Sequence, residues 1–136
     1  MRLLRNVCCD FYGSSLWDLP HSSIEELSTA WRKGLRQLWG LPYRTHNIML
    51  AALCSMLPLD YELMCRCAKF MNNYCLISCN DLVSFVARNG IFFQRMSSPI
   101  GRNAQRCCDT VGLSLCNLHA FNKELVFHVV YSSLPD

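Results

Sequence analysis

Apolar residues fall into helical registers through the first two thirds of the chain and lose that order towards its end. Ile24, Leu27, Trp31, Leu35 and Leu38 line one face of the stretch from Ser23 to Trp39. Glu25, Thr29, Arg32, Lys33, Arg36 and Gln37 occupy the other side, so the stretch reads as an amphipathic helix. Ser23 with Glu26 fits a capping box, in which each side chain satisfies an orphan backbone N–H. Gly40 tolerates a positive φ and Pro42 cannot continue a helix, which predicts a sharp stop. Thr45 is placed to cap a second helix that carries Ile48, Met49, Ala52, Leu53 and Met56 to about Leu57.

Pro58 separates this from a third helix, predicted from Asp60 to Leu76. Leu63, Met64, Cys67, Phe70, Met71 and Tyr74 form its apolar face, with Arg66, Lys69 and Asn73 opposite. A fourth, shorter helix is expected from Asp81 to Asn89, capped by Ser78 or Asn80 and ended by Gly90. Its apolar face is Leu82, Phe85 and Val86.

The two ends are less regular. Residues 1–12 are an apolar and basic lead, helix or strand, broken by Gly13-Ser14-Ser15. Leu16-Trp17 and Leu19-Pro20 then make a connector whose indole is expected to anchor on a helix. After Gly90 the punctuation thickens, and a helical turn or two is expected over Asn103 to Asp109. Leu125 to Tyr131 is strand-like by its β-branched and aromatic content. A lone strand is not stable in water, so this segment pairs weakly, folds as a helix or belongs to a non-native frame.

The expectation is therefore an all-α fold, a small bundle of three to four helices with a poorly defined C-terminal third. Residues 1–22 form the lead and connector, 23–90 the helical core and 91–136 a weakly structured tail. The core is expected around Trp31, Leu35, Leu38, Leu53, Met64, Phe70 and Phe85.

Composition narrows the class. Of 136 residues, 51% are hydrophobic and 17% charged, enough apolar material for a core and too little charge for a disordered chain. Such apolarity fits either large buried helix faces or a fragment with faces left uncovered. No run of about 18 apolar residues suggests a membrane-spanning helix, and the N-terminus lacks the apolar core of a secretory signal. The ten cysteines are read as mostly reduced core thiols in an intracellular protein rather than as a disulfide framework.

Charge changes the picture locally. The formal net charge is +3, yet Leu27 to Leu59 holds four Arg or Lys and no Asp or Glu. Arg32, Lys33 and Arg36 share a helix face, and Arg44 follows the stop with Tyr43 and His46 beside it. Such a cluster can neutralise phosphates while Tyr43 packs on a sugar or base. A solvated outer helix face is the plainer alternative. Trp31 and Trp39 read as core packing rather than a ligand box.

No metal or cofactor is implied. Cys65 and Cys67 lie about 200° apart on a helix and cannot converge on one ion. Cys75 and Cys79 have a usable spacing but no second pair, and Cys107, Cys108, Cys116 and His119 match no knuckle. No Gly-x-Ser-x-Gly elbow or phosphate loop is present, so no catalytic residue is assigned.

Tyr12-Gly13-Ser14 and Leu16-Trp17, then Ala30-Trp31-Arg32-Lys33, then Trp39 and Leu41-Pro42-Tyr43-Arg44-Thr45-His46 follow one another in a recognisable order. The order resembles the segment after the polymerase core of non-LTR (LINE-type, jockey-like) retrotransposon reverse transcriptases. The likeness is specific from Phe11 to His46 and looser to about Asn89. It implies the thumb and its helical extension, lying against a primer–template duplex, with other domains of such a polymerase as further partners. RNA or DNA backbone is then the expected ligand of Arg32, Lys33, Arg36, Arg44, Tyr43 and His46. Nucleotidyl transfer needs clustered carboxylates for Mg²⁺, and the chain has no Asp-Asp pair. The resemblance therefore implies a non-catalytic piece of an RNA-directed DNA polymerase, in truncated or degenerate form. A helical interaction module docking through apolar faces is the alternative.

Overall fold

The computed structural model describes residues 11–76, 81–94 and 96–132, apart from the side chains of residues 74–76 and 81. The expected lead before Phe11, the Ser78 or Asn80 cap and the Cys75–Cys79 pair lie outside these described parts.

The fold is all-α. A 3-10 turn at Ser14–Leu16 precedes α1 (Ser22–Leu38), α2 (Asn47–Leu53), α3 (Leu59–Phe70) and α4 (Asp81–Phe92). A π-helical turn, Met71–Leu76, extends α3. Then come α5 (Pro99–Val111), a 3-10 segment at Leu115–Ala120 and α6 (Lys123–Ser132).

α1 follows its predicted register but is capped differently. The chain enters the helix one residue early, and His21 Nδ1 accepts from the Ser23 N–H at 3.2 Å. The Ser23–Glu26 capping box therefore does not form. Its stop is as expected in kind: Gly40 takes φ +60°, and Leu41 N–H reaches back to Arg36 O at 2.9 Å, the Schellman closure. Thr45 does not cap α2 either. That role belongs to His46, whose Nδ1 accepts from Ile48 N–H. α2 ends at Leu53, short of the expected Leu57, because Ser55 adopts φ +51° and turns the chain. Met56, Leu57 and Leu59 are buried in and after that turn.

α3 is the hub. It packs on the Ser14–Leu16 turn, α1 and α5, and buries Leu59, Leu63, Met64, Cys67 and Ala68. Around it the main core gathers Leu19, Leu57, Met71, Ile91, Leu118 and Val126. A smaller cluster of Leu35, Leu50, Cys54 and Met56 lies beneath α1 and α2, and Trp31 and Phe11 touch both clusters.

The expected core is thus partly corrected. Leu35 and Met64 are buried, but Leu38, Leu53 and Phe85 are 61%, 50% and 70% exposed. α4 turns inward the face of Ser84, Ala87 and Ile91, leaving Phe85 outside. Gly90 does not end α4. It is buried within it, and a Cβ there would meet Ile100 Cγ2 at 2.9 Å, so glycine allows α4 to approach α5 closely.

The C-terminal third departs most from expectation. α5 starts with Pro99 at its first turn and buries Gly101, Asn103, Ala104, Cys107 and Cys108. Leu125 to Tyr131 lies within α6, not a strand, and sends Val126 and Val130 into the core at i, i+4 spacing. Tertiary packing overrides β-propensity there. Lys123 pairs with Glu62 of α3 at 2.7 Å, and Tyr131 OH donates to Met56 O at 3.1 Å.

The connector is held by α5. Asn103, 3% exposed, donates from Nδ2 to Trp17 O at 2.6 Å. Its Oδ1 accepts from Leu19 N–H at 2.9 Å. Next to it, Arg102 forks onto Asp18 at 3.2 and 2.8 Å and donates to the carbonyls of Met96 and Ser97. Trp17 packs against the main core, as its anchoring role predicts.

Removing the Asn103 amide strands two backbone groups, whereas the Asp18–Arg102 pair is partly solvated. Asn103→Ala should therefore cost about 3 kcal/mol and lower the melting temperature by about 10 °C. Asp18→Ala should cost no more than about 1 kcal/mol. Thermal denaturation of both variants checks this, and equal losses would contradict it.

Candidate nucleic-acid interface

The predicted basic residues lie on α1 and in the turn between α1 and α2, and they are not equivalent. Arg32 sits two turns from Glu25, and its Nη2 bonds Glu25 Oε1 at 2.8 Å and Thr29 Oγ1 at 2.9 Å. Glu25 is 74% exposed, so this pair adds little stability. It does offset the Arg32 charge. Arg36 is a structural residue. Its Nη2 donates to Thr45 O at 2.9 Å and Asn47 Oδ1 at 2.8 Å, closing the turn between α1 and α2. Its guanidinium lies 5.7 Å from the centre of the Tyr43 ring, a cation–π distance, and its buried Nε has no hydrogen-bond partner among the described residues.

Lys33 and Arg44 remain. Both are exposed, and neither has an ion-pair or hydrogen-bond partner among the described residues. Tyr43 is 85% exposed, with Arg36 behind its ring. His46 is exposed, but its Nδ1 is occupied as the α2 cap, leaving Nε2 outward. The surface thus offers two unpaired cations, an aromatic face and one imidazole edge. Such groups can take phosphate oxygens and stack a base or sugar. Trp39, 46% exposed, is at the edge of this face rather than in the core.

Six described cysteines are reduced thiols. Burial pushes the Cys65 thiol up to about 11 and Cys67 to about 12, and raises Cys107 as well, so these groups stay protonated. Among the described residues no group of three or more His, Cys, Asp or Glu is placed to hold a metal ion. A cavity of about 520 Å³ lies between α3 and α5, lined by Asp60, Tyr61, Arg102 and Arg106 among others. Burial raises the Asp60 carboxyl there, against the pull of the first backbone N–H groups of α3. Arg102 is already committed to Asp18, and Asp60 belongs to the α3 N-terminus, where an acid suits the helix dipole. No helix among the described residues is long and apolar enough to cross a membrane.

Residues the sequence reading left unassigned lie on the exposed side of α3. Arg66, Lys69 and Asn73 follow one another at i, i+3 and i+7, a signal present in the sequence as the polar side of the third helix. Tyr12, just before Gly13, is 97% exposed beside them.

If Arg36 holds the turn and Lys33 does not, Arg36→Ala should destabilise the fold by about 1–2 kcal/mol. Lys33→Ala should stay within about 0.5 kcal/mol of the parent. Chemical denaturation of the two variants separates these roles, and similar small effects for both would contradict the assignment. Comparison with protein-family models, with curated proteins and with solved structures finds no match for this chain.

Proposed function

We propose that the chain is a non-catalytic fragment of a non-LTR retrotransposon RNA-directed DNA polymerase, corresponding to the nucleic-acid-contacting region after the polymerase core. The resemblance from Phe11 to His46 motivates this reading. The observation that carries it is the exposure of Lys33 on α1 and of Tyr43 and Arg44 in the turn after it, with no carboxylate between Leu27 and Leu59. Arg36 holds the turn that brings Arg44 and Tyr43 beside α1, and Arg32 contributes a charge already shared with Glu25. Contacts of this kind position a backbone without reading sequence.

One observation favours a second reading, a module that docks on another protein. On α4 and just beyond it, Leu82, Phe85, Val86 and Phe93 are 72%, 70%, 61% and 85% exposed. Salt separates the two. Phosphate contacts weaken steeply as salt rises, whereas apolar docking persists or strengthens.

Binding of the purified, reduced chain to a labelled RNA–DNA hybrid across a salt series tests the proposal. The expected result is binding at low salt that falls away with rising salt. Lys33→Ala/Arg44→Ala should lower affinity about tenfold and flatten the salt slope by up to about two. Absence of binding at low salt by the folded chain, or an unchanged double variant, would overturn it.

A further inference from the structure

α4 turns Ser84, Ala87 and Ile91 inward, and the opposite side of the helix is centred on Asn89. Leu82, Phe85, Val86, Phe92 and Phe93 all fall within about 60° of Asn89 around the helix axis, and all five are exposed. The Phe93 N–H donates to Asn89 O at 3.0 Å, so the helical path carries on past Phe92. Between Leu82 and Phe93 Arg88 is the one charged residue, and it lies about a quarter turn to the side.

This face has a symmetry along its length. Phe85 and Phe93 stand four residues either side of Asn89, and Val86 and Phe92 stand three either side. Asn89 is half-buried, and its side-chain amide has no hydrogen-bond partner among the described residues. An amide carries both donor and acceptor, so it complements another amide. A face that reads alike in both directions about such a group matches a copy of itself turned end for end. A partner of unrelated sequence would gain nothing from that symmetry. The size also suffices. With about 200 Å² for a fully exposed large side chain, the five offer roughly 700 Å² per copy. That is near the ~800 Å² each partner buries in a stable interface.

We propose that α4 pairs antiparallel with α4 of a second copy of this chain, about a two-fold axis through Asn89. Phe85 packs on Phe93 of the second copy and Val86 on its Phe92, each contact occurring twice, with Leu82 flanking the pair at either end. The two Asn89 amides meet at the axis and bond each other, and a lone asparagine in an apolar seam fixes register in this way. Such a contact closes at two copies. The inference names the occupant for the docking reading of this face and rests on that reading. It is independent of nucleic-acid binding around Lys33 and Arg44.

The test is sedimentation equilibrium of the full, reduced chain over a concentration series at low and high salt. The expected result is a monomer–dimer equilibrium that is as tight or tighter at high salt. Phe85→Ala should weaken it about tenfold. Asn89→Asp and Asn89→Lys each set like charges across the axis and should each weaken it more than about tenfold. An equimolar mixture of those two variants should recover a dimer with one chain of each. Recovery on mixing requires that position 89 face its own counterpart, which a general loss of stability cannot imitate. Far-UV circular dichroism of each variant should match the parent, since neither position is in the core. A parent that stays monomeric, assembly beyond two copies, undiminished pairing by Asn89→Asp, or a mixture that stays monomeric would each overturn the proposal. A monomeric parent leaves docking on a different protein to the salt comparison, so the two readings fail separately.

Discussion

The side-chain amide of Asn103 is the interaction on which the rest of the structure depends. The connector between the Ser14–Leu16 turn and α1 has no regular structure and buries Leu19, and its backbone N–H and C=O groups need partners there. Asn103 supplies one donor and one acceptor to Trp17 O and Leu19 N–H, doing for the connector what a neighbouring strand would do. That lets Leu19 become 3% exposed and Trp17 pack on the core. Cys67 Sγ adds a weak contact to Ser14 O at 3.6 Å, and Arg66 completes the attachment of the turn to α3. An amide in the core is tolerable only because each of its atoms is paired.

This arrangement ties the first described residues to α5, so the N-terminal connector and the C-terminal third belong to one packed body. α3 packs on the Ser14–Leu16 turn and on α5 and buries Leu59, Leu63, Met64, Cys67 and Ala68. The close approach of α4 at Gly90, and the Glu62–Lys123 and Tyr131–Met56 links to α6, complete the enclosure. The apolar excess of the sequence is thus only partly consumed. It fills this core and still leaves Leu82, Phe85, Val86 and Phe93 on the surface of α4 and its end.

α1 and α3 are legible in the sequence because large apolar residues repeat at helical spacing against charged ones. α5 is not, because its buried face is Gly101, Asn103, Ala104, Cys107 and Cys108. Those small, polar and thiol residues are not the large apolar ones that announce a core face, although buried cysteine behaves as a small apolar residue. α6 misleads for the opposite reason: its β-branched content resembles a strand until packing selects the helix. Of the predicted basic residues, the sequence gives their positions on α1 and in the turn after it. It does not show that Arg36 is spent on a backbone carbonyl, since Thr45 O has no signature. The Glu25–Arg32 pair at i, i+7 is readable only once the helix is known to be straight over two turns. Lys69 and Tyr12 were visible as residues, but their neighbourhood depends on the connector folding back onto α3.

The turn around Gly40 presents Lys33, Tyr43 and Arg44, and the attached connector presents Tyr12 beside Arg66 and Lys69. The central claim is that the connector is part of the cooperative core rather than a strap laid over it. Native-state hydrogen exchange at the Leu19 amide measures this most directly. The account predicts that Leu19 exchanges only through global unfolding, with the same protection as the core amides of Cys107 and Cys108. Rapid exchange at Leu19 while those α5 amides stay protected would contradict it.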